Sequence, residues 1–126
     1  MDIFFSISAG ICASLGAVSS KFAFSEFSWE KQPIEFVLFL SLFLLFNVSM
    51  WIFFSRALAT STSTIKVMAL NTGTNFTLTG ILGGVLWGEA HSMLWWTGLS
   101  LVIVGSVLLL TEQQKIEEQK GKEKIR

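Results

Sequence analysis

Four apolar runs, at residues 3–24, 34–55, 67–87 and 93–111, set the limits on what this chain can fold into. Each is long enough to cross about 30 Å of hydrocarbon as a helix, which takes about 20 residues. Where no water is present, backbone amides must be bonded within their own segment, so such runs fold as helices. A soluble bundle would carry a charged stripe down each helix, and these runs have none. The expected fold is an all-α, four-transmembrane-helix up-down bundle with one domain, followed by a charged tail at 112–126.

Composition agrees with that assignment. The 126 residues are 52% apolar and only 14% charged, and the charges gather at run boundaries and in the tail. The first run does not read as a cleaved signal peptide, because Met1-Asp2 brings no positive charge and the run is longer than an h-region. Cys12 is the only cysteine, so neither a disulfide framework nor a cysteine-based metal site is expected. Net charge is zero with no basic stripe outside the tail, which excludes nucleic acid as a partner.

The connections are short, so consecutive helices should be antiparallel neighbours. Run 1 carries small residues at helical spacing: Ser6, Gly10, Ala13, Ser14, Ala17, then Lys21 at its end. After a loop at 25–32, Pro33 opens the second helix where its missing N–H costs least. That helix is rich in Phe and Leu, and only its inner end is polar, at Asn47, Ser49, Trp51, Ser55 and Arg56. The Ser/Thr turn within 57–66 suits an N-cap for helix 3, and Ser92 suits one for helix 4.

Lys and Arg set the orientation. With an even number of spans, Arg56, Lys66 and the five tail cations share one side, seven against Lys21 and Lys31 on the other. Both termini are therefore expected in the cytoplasm. Trp29, Trp87, Trp95 and Trp96 then gather at the outer interface as an aromatic belt. The tail reads as a solvated continuation of helix 4. Its end, Lys122-Glu123-Lys124-Ile125-Arg126, resembles a dilysine signal for retrieval to the endoplasmic reticulum. Such a signal is an address read by a receptor.

Helix 3 is the least ordinary segment. Asn71, Thr72, Asn75 and Thr79 fall within roughly 100° of arc on a 3.6-residue helix. Gly73, Thr77, Gly80, Gly84 and Gly88 take the opposite side, and Gly80, Gly84 and Gly88 form a doubled Gly-x-x-x-Gly. Small residues so spaced let another helix approach closely. Polar groups at membrane depth mark either a substrate path or interhelical hydrogen bonds. Asn47, Trp51, Asn71, Asn75 and Thr79 are the candidate path residues. Helix 4 places Gly98 and Gly105 seven residues apart, a spacing that keeps one face aligned along a left-handed crossing. They are candidates for a helix contact or an oligomer seam.

No Asp or Glu sits near a span centre, so proton coupling through a buried carboxylate has no candidate. His91 falls in a loop. The chain carries no Ser/His/Asp set, metal-ligand cluster or phosphate loop, so neither enzymatic activity nor a cofactor is expected. Asn75-Phe76-Thr77 and Asn47-Val48-Ser49 match the glycosylation pattern but lie within spans.

Ser19-Ser20-Lys21-Phe22-Ala23-Phe24, Met50-Trp51-Ile52-Phe53-Phe54-Ser55-Arg56, Asn75, and Leu86-Trp87-Gly88-Glu89 followed by Leu94-Trp95-Trp96-Thr97-Gly98 resemble the transmembrane protein 42 family. More broadly the chain resembles one EamA-type half of the drug/metabolite transporter superfamily. There a lysine commonly ends helix 1, as Lys21 does, and Gly-Glu precedes the last helix, as Gly88-Glu89 does. The chain is also similar in size, and in the Gly98/Gly105 spacing, to the small multidrug resistance proteins. Their membrane-buried glutamate corresponds here to Ala13, flanked by Ser14. The resemblance implies a small-solute transporter built as an oligomer, lacking that glutamate's chemistry. The other expectation is a non-transporting accessory or assembly protein of the endoplasmic reticulum, docking other spans on its glycine faces.

Overall fold

The computed structural model describes residues 1–26 and 28–126. Phe27, inside the loop expected at 25–32, lies outside the described residues. In order along the chain come α1 (Asp2–Lys21), a π-helical turn (Phe22–Glu26), α2 (Pro33–Thr60), α3 (Thr64–Trp87) and α4 (Met93–Ile125). The all-α expectation holds. Helix 1 runs on through the π turn to Glu26, past the residue where the loop was expected to begin.

The capping chemistry explains the helix ends. Pro33 occupies the first turn of α2. Ser63 Oγ accepts from the Lys66 amide at 3.3 Å and starts α3. Ser92 Oγ does the same for Trp95, also at 3.3 Å, and starts α4. Helix α3 stops at Gly88, whose φ of 62° is the left-handed conformation that favours glycine. Gly88 is thus a terminator, and the packing role its spacing suggested falls to other glycines.

Three segments, Asp2–Glu26, Pro33–Thr60 and Met93–Ile125, are long and apolar enough to cross a membrane. The fourth expected span does not join them. Helix α3 has 24 residues, but Asn71, Asn75 and four threonines between 71 and 80 dilute its apolar character. Its own hydropathy does not mark it as a span.

The helices do not close into a four-cornered bundle. Helix α1 packs along both α2 and α3, and α4 packs on α3 alone among the described residues. The spatial order is an open row: α2, α1, α3, α4. Sandwiched on two sides, α1 buries Ser6, Ala9, Gly10, Ser14, Gly16 and Ser19. Ala17, expected on the packing face, is exposed, whereas Ala9, Gly16 and Ser19 complete a second face that a single stripe would not contain. The buried serines bond back to their own helix, Ser6 to the Asp2 carbonyl at 2.7 Å and Ser14 to that of Ile11 at 2.8 Å. They therefore serve as small packing residues.

Helix α4 has no buried residue. At 33 residues it is about 50 Å long, well beyond a bilayer core of about 30 Å. Its charged last turns are the helical continuation expected of 112–126. Thr62 Oγ1 donates to Glu117 Oε1 at 2.6 Å and ties this extension to the α2–α3 turn.

Candidate functional site

Of the polar face of α3, Asn71 lies at the crossing with α1, while Thr72 is exposed. At that crossing, a β-carbon added to Gly10 would come within 2.7 Å of both the Asn71 carbonyl oxygen and Thr74 Cβ. The glycine is what lets the two backbones meet. Asn71 sits here with its Oδ1 buried and without a hydrogen-bond partner. One turn on, Thr79 Oγ1 donates to Asn75 Oδ1 at 3.2 Å. Asn75 stands at the middle of α3, between Thr64 and Trp87.

Asn47 is on the other side of α1. Its Nδ2 donates to the Phe43 carbonyl at 2.7 Å and rests near Gly16, where a β-carbon would be 3.1 Å away. Trp51 is exposed on α2 beside Ile52 and Arg56, lining a shallow pocket of its own. Asn71, Asn75 and Thr79 thus share one face of α3, while Asn47 and Trp51 belong to α2 and line no described cavity with them.

The opposite side of α3 receives α4. Gly73 faces Ser106, with 3.5 Å from an added β-carbon to Ser106 Oγ. Gly80 lies directly beneath the Trp95 ring, and Gly84 faces His91. Gly98 and Gly105 have no atom within 4 Å of an added β-carbon. Both border open space, Gly98 beside Phe76 of α3 and Trp95, and Leu101 and Leu108 are 67% and 62% exposed.

A cluster that sequence reasoning missed closes the end of the row away from the tail. The Lys21 ammonium pairs with Glu89 and sits 4.4 Å from the centre of the Trp87 ring. Trp87 Nε1 donates to Glu26 Oε1 at 3.2 Å, and its ring lies 4.8 Å from that of Phe22. His91 bonds the Gly80 carbonyl through Nε2 at 3.1 Å and stacks on Trp95 at 3.9 Å. These contacts join the end of α1 and the π turn to the α3–α4 loop. The available signal was charge: Lys21 and Glu89 are opposite charges expected at one interface. At the tail end, Lys66 Nζ lies 3.2 Å from Asp2 Oδ2 and joins α1 to the start of α3.

Between α1, α3 and α4 runs an open groove of about 520 Å³, walled almost wholly by apolar side chains. It lies on the Gly73 and Thr77 side of α3, away from Asn71, Asn75 and Thr79. The chain matches no family model. No solved structure matches it.

Proposed function

We propose that this protein is a multi-pass membrane protein of the small-solute transporter type that works as an oligomer. The observation that carries this reading is the amide face at the centre of α3. Asn71 Oδ1 is buried and unpartnered, on the same face as the Asn75–Thr79 pair. A buried acceptor left unpaired costs about 1–3 kcal/mol. That cost is repaid if another state of the protein offers Asn71 a solute hydroxyl, amide or water. An open row of helices encloses no channel, so the path would form between copies, with the bare face of α4 at Gly98 and Gly105 as the seam.

The resemblance to the transmembrane protein 42 family, and through it to the EamA-type drug/metabolite transporters, points the same way. Seven cations against two favour a cytoplasmic side for both termini. Lys122 and Lys124 would then be readable as an endoplasmic reticulum address. The solute would be small, polar and neutral, because the amides present no charge to a cargo.

One observation favours a second reading, an accessory or assembly subunit of the endoplasmic reticulum membrane. Helix α4 buries no residue and turns two glycines outward, as a helix awaiting another protein's span would. Counterflow of labelled neutral solutes in proteoliposomes separates the two. Transport requires flux in the wild type that Asn75→Leu abolishes while the protein stays folded. Absence of flux for every solute tested, with an intact complex recovered through α4, favours the accessory subunit.

A further inference from the structure

We infer that the groove between α1, α3 and α4 seats one acyl chain of a glycerophospholipid from the leaflet on the tail side of the membrane. The inference rests on the membrane-spanning reading of the chain, and not on transport. Ile7 and Ile11 of α1 form one wall, Ile103 and Val107 of α4 the other, and Gly73 and Leu78 of α3 the floor. The groove exists because α1 and α4 both pack on α3 without touching each other. Three hydroxyl residues, Thr74, Thr77 and Ser106, also line it, but the surface that they expose to the groove is almost wholly apolar, and Ser106 donates to the Val102 carbonyl at 2.8 Å.

Depth selects the occupant. On α3 the lining runs from Ala69 to Leu78, a rise of about 14 Å, close to half of a bilayer core of about 30 Å. Its tail-side end lies one helical turn from Lys66, whose bridge to Asp2 belongs at the membrane surface. Its other end stops near the middle of α3. The groove therefore spans one leaflet.

Length favours an acyl chain over a helix. A spanning helix laid along α3 would need about 30 Å of open face, and this groove offers about 14 Å, the depth of one leaflet. The outward glycines of α4, where a second copy's helix could approach, do not line this groove. Lipid tails are as apolar as leucine, so retention comes from dispersion contacts that an empty groove would forfeit.

The test uses the full chain, reconstituted in palmitoyl-oleoyl phosphatidylcholine vesicles, taken up in mild detergent and measured by native mass spectrometry. The wild type should keep one phospholipid per chain. Thr77→Phe, which fills the groove, should lower that occupancy at least several-fold, as should Ile103→Trp from the opposite wall. Leu101→Phe, on the exposed face of α4, should leave it unchanged. Helical content and melting temperature of each variant identify any that fail to fold, and the conclusion is drawn from a folded one. A wild type that retains no phospholipid overturns the inference, as does equal occupancy in a folded, filled variant. Loss of a dimer mass with no loss of lipid overturns it too, and makes the groove a contact between copies. Alkaline extraction of the membranes separates this from failure of the membrane reading: a chain that washes off was never embedded.

Discussion

The Trp95 ring occupies the space that a side chain at Gly80 would need, with Cζ2 only 2.6 Å from an added β-carbon. An indole ring stacked against His91 cannot swing aside as a lysine would. Gly80→Ala should therefore overpack the α3–α4 contact and cost about 1–3 kcal/mol. Gly84→Ala, with 3.9 Å to His91 Nε2, meets ordinary van der Waals distance. It should be neutral or gain about 0.5–1 kcal/mol from helix propensity. Melting temperatures in detergent decide it, and equal effects at the two glycines would refute the assignment of Gly80 as the contact point.

Gly10 should be the least replaceable glycine in the chain. The atom nearest an added β-carbon there, at 2.7 Å, is a backbone carbonyl oxygen of α3, and backbone cannot rotate away. Gly10→Ala is expected to separate α1 from α3 and to lower stability more than Gly16→Ala, where the obstacle is the Asn47 side-chain amide. Thermal melts of both variants rank them. A milder effect at Gly10 would mean that the crossing is looser than its geometry.

The two asparagines of α3 should behave oppositely. Asn71 Oδ1 has no partner to lose, so Asn71→Leu should leave stability unchanged or raise it, because it removes an unmet acceptor. Asn75→Leu breaks the bond from Thr79 and should cost about 0.6–2 kcal/mol. Unfolding measurements on the pair test this. If Asn71→Leu is the worse of the two, the amide is paired in the working state, and its role is structural.

The fold was legible where periodicity and capping coincide. Pro33, the Ser/Thr turn before helix 3 and Ser92 mark helix starts with local chemistry, and the structure puts starts there, with Ser63 as the cap within that turn. The pairing of α3 with two neighbours was half legible: amides on one side and glycines on the other implied two different contacts. Which helix would take each side could not be read, since that depends on α1 being packed from both flanks. Gly88 shows the limit of a spacing rule. It continues the Gly-x-x-x-Gly series, yet it falls one residue past the helix, where positive φ decides its use. The Lys21–Glu89–Trp87–Glu26 cluster left no signal beyond the opposite charges of Lys21 and Glu89, because its members lie up to 68 positions apart and meet only once the end of α1 and the π turn are set against the end of α3.

That cluster holds the end of α1 to the α3–α4 loop, but its charges should contribute little. Lys21 and Glu89 are 35% and 42% exposed, and pairs so open to solvent are worth about 0.2–1 kcal/mol. Trp87 combines the ammonium contact, the bond to Glu26 and the packing on Phe22. Trp87→Leu should therefore destabilise more than Lys21→Met or Glu89→Gln. A double-mutant cycle on Lys21 and Glu89 should return a coupling below about 1 kcal/mol. A coupling several times larger would show that the site is drier than its exposure indicates.

The termini should be reachable from one side of the membrane only. Asp2 is bound to Lys66 at the start of α3, and Thr62, in the same turn, is bound to Glu117 of the helical tail. These two bonds bring the first residues, the α2–α3 turn and the tail to one end of the row. With Cys12→Ser as background, a single cysteine inserted after Met1 and one placed at position 126 should label together, in intact or in permeabilised membranes. Labelling on opposite faces would mean that α3 does not span, as its weak apolarity alone would suggest. Labelling of each terminus on both faces would reveal two orientations in one membrane and allow an antiparallel pair. A single shared face, with Lys122 and Lys124 on the cytoplasmic side, would leave only parallel assemblies, and any transport path would have to form between α4 helices that point the same way.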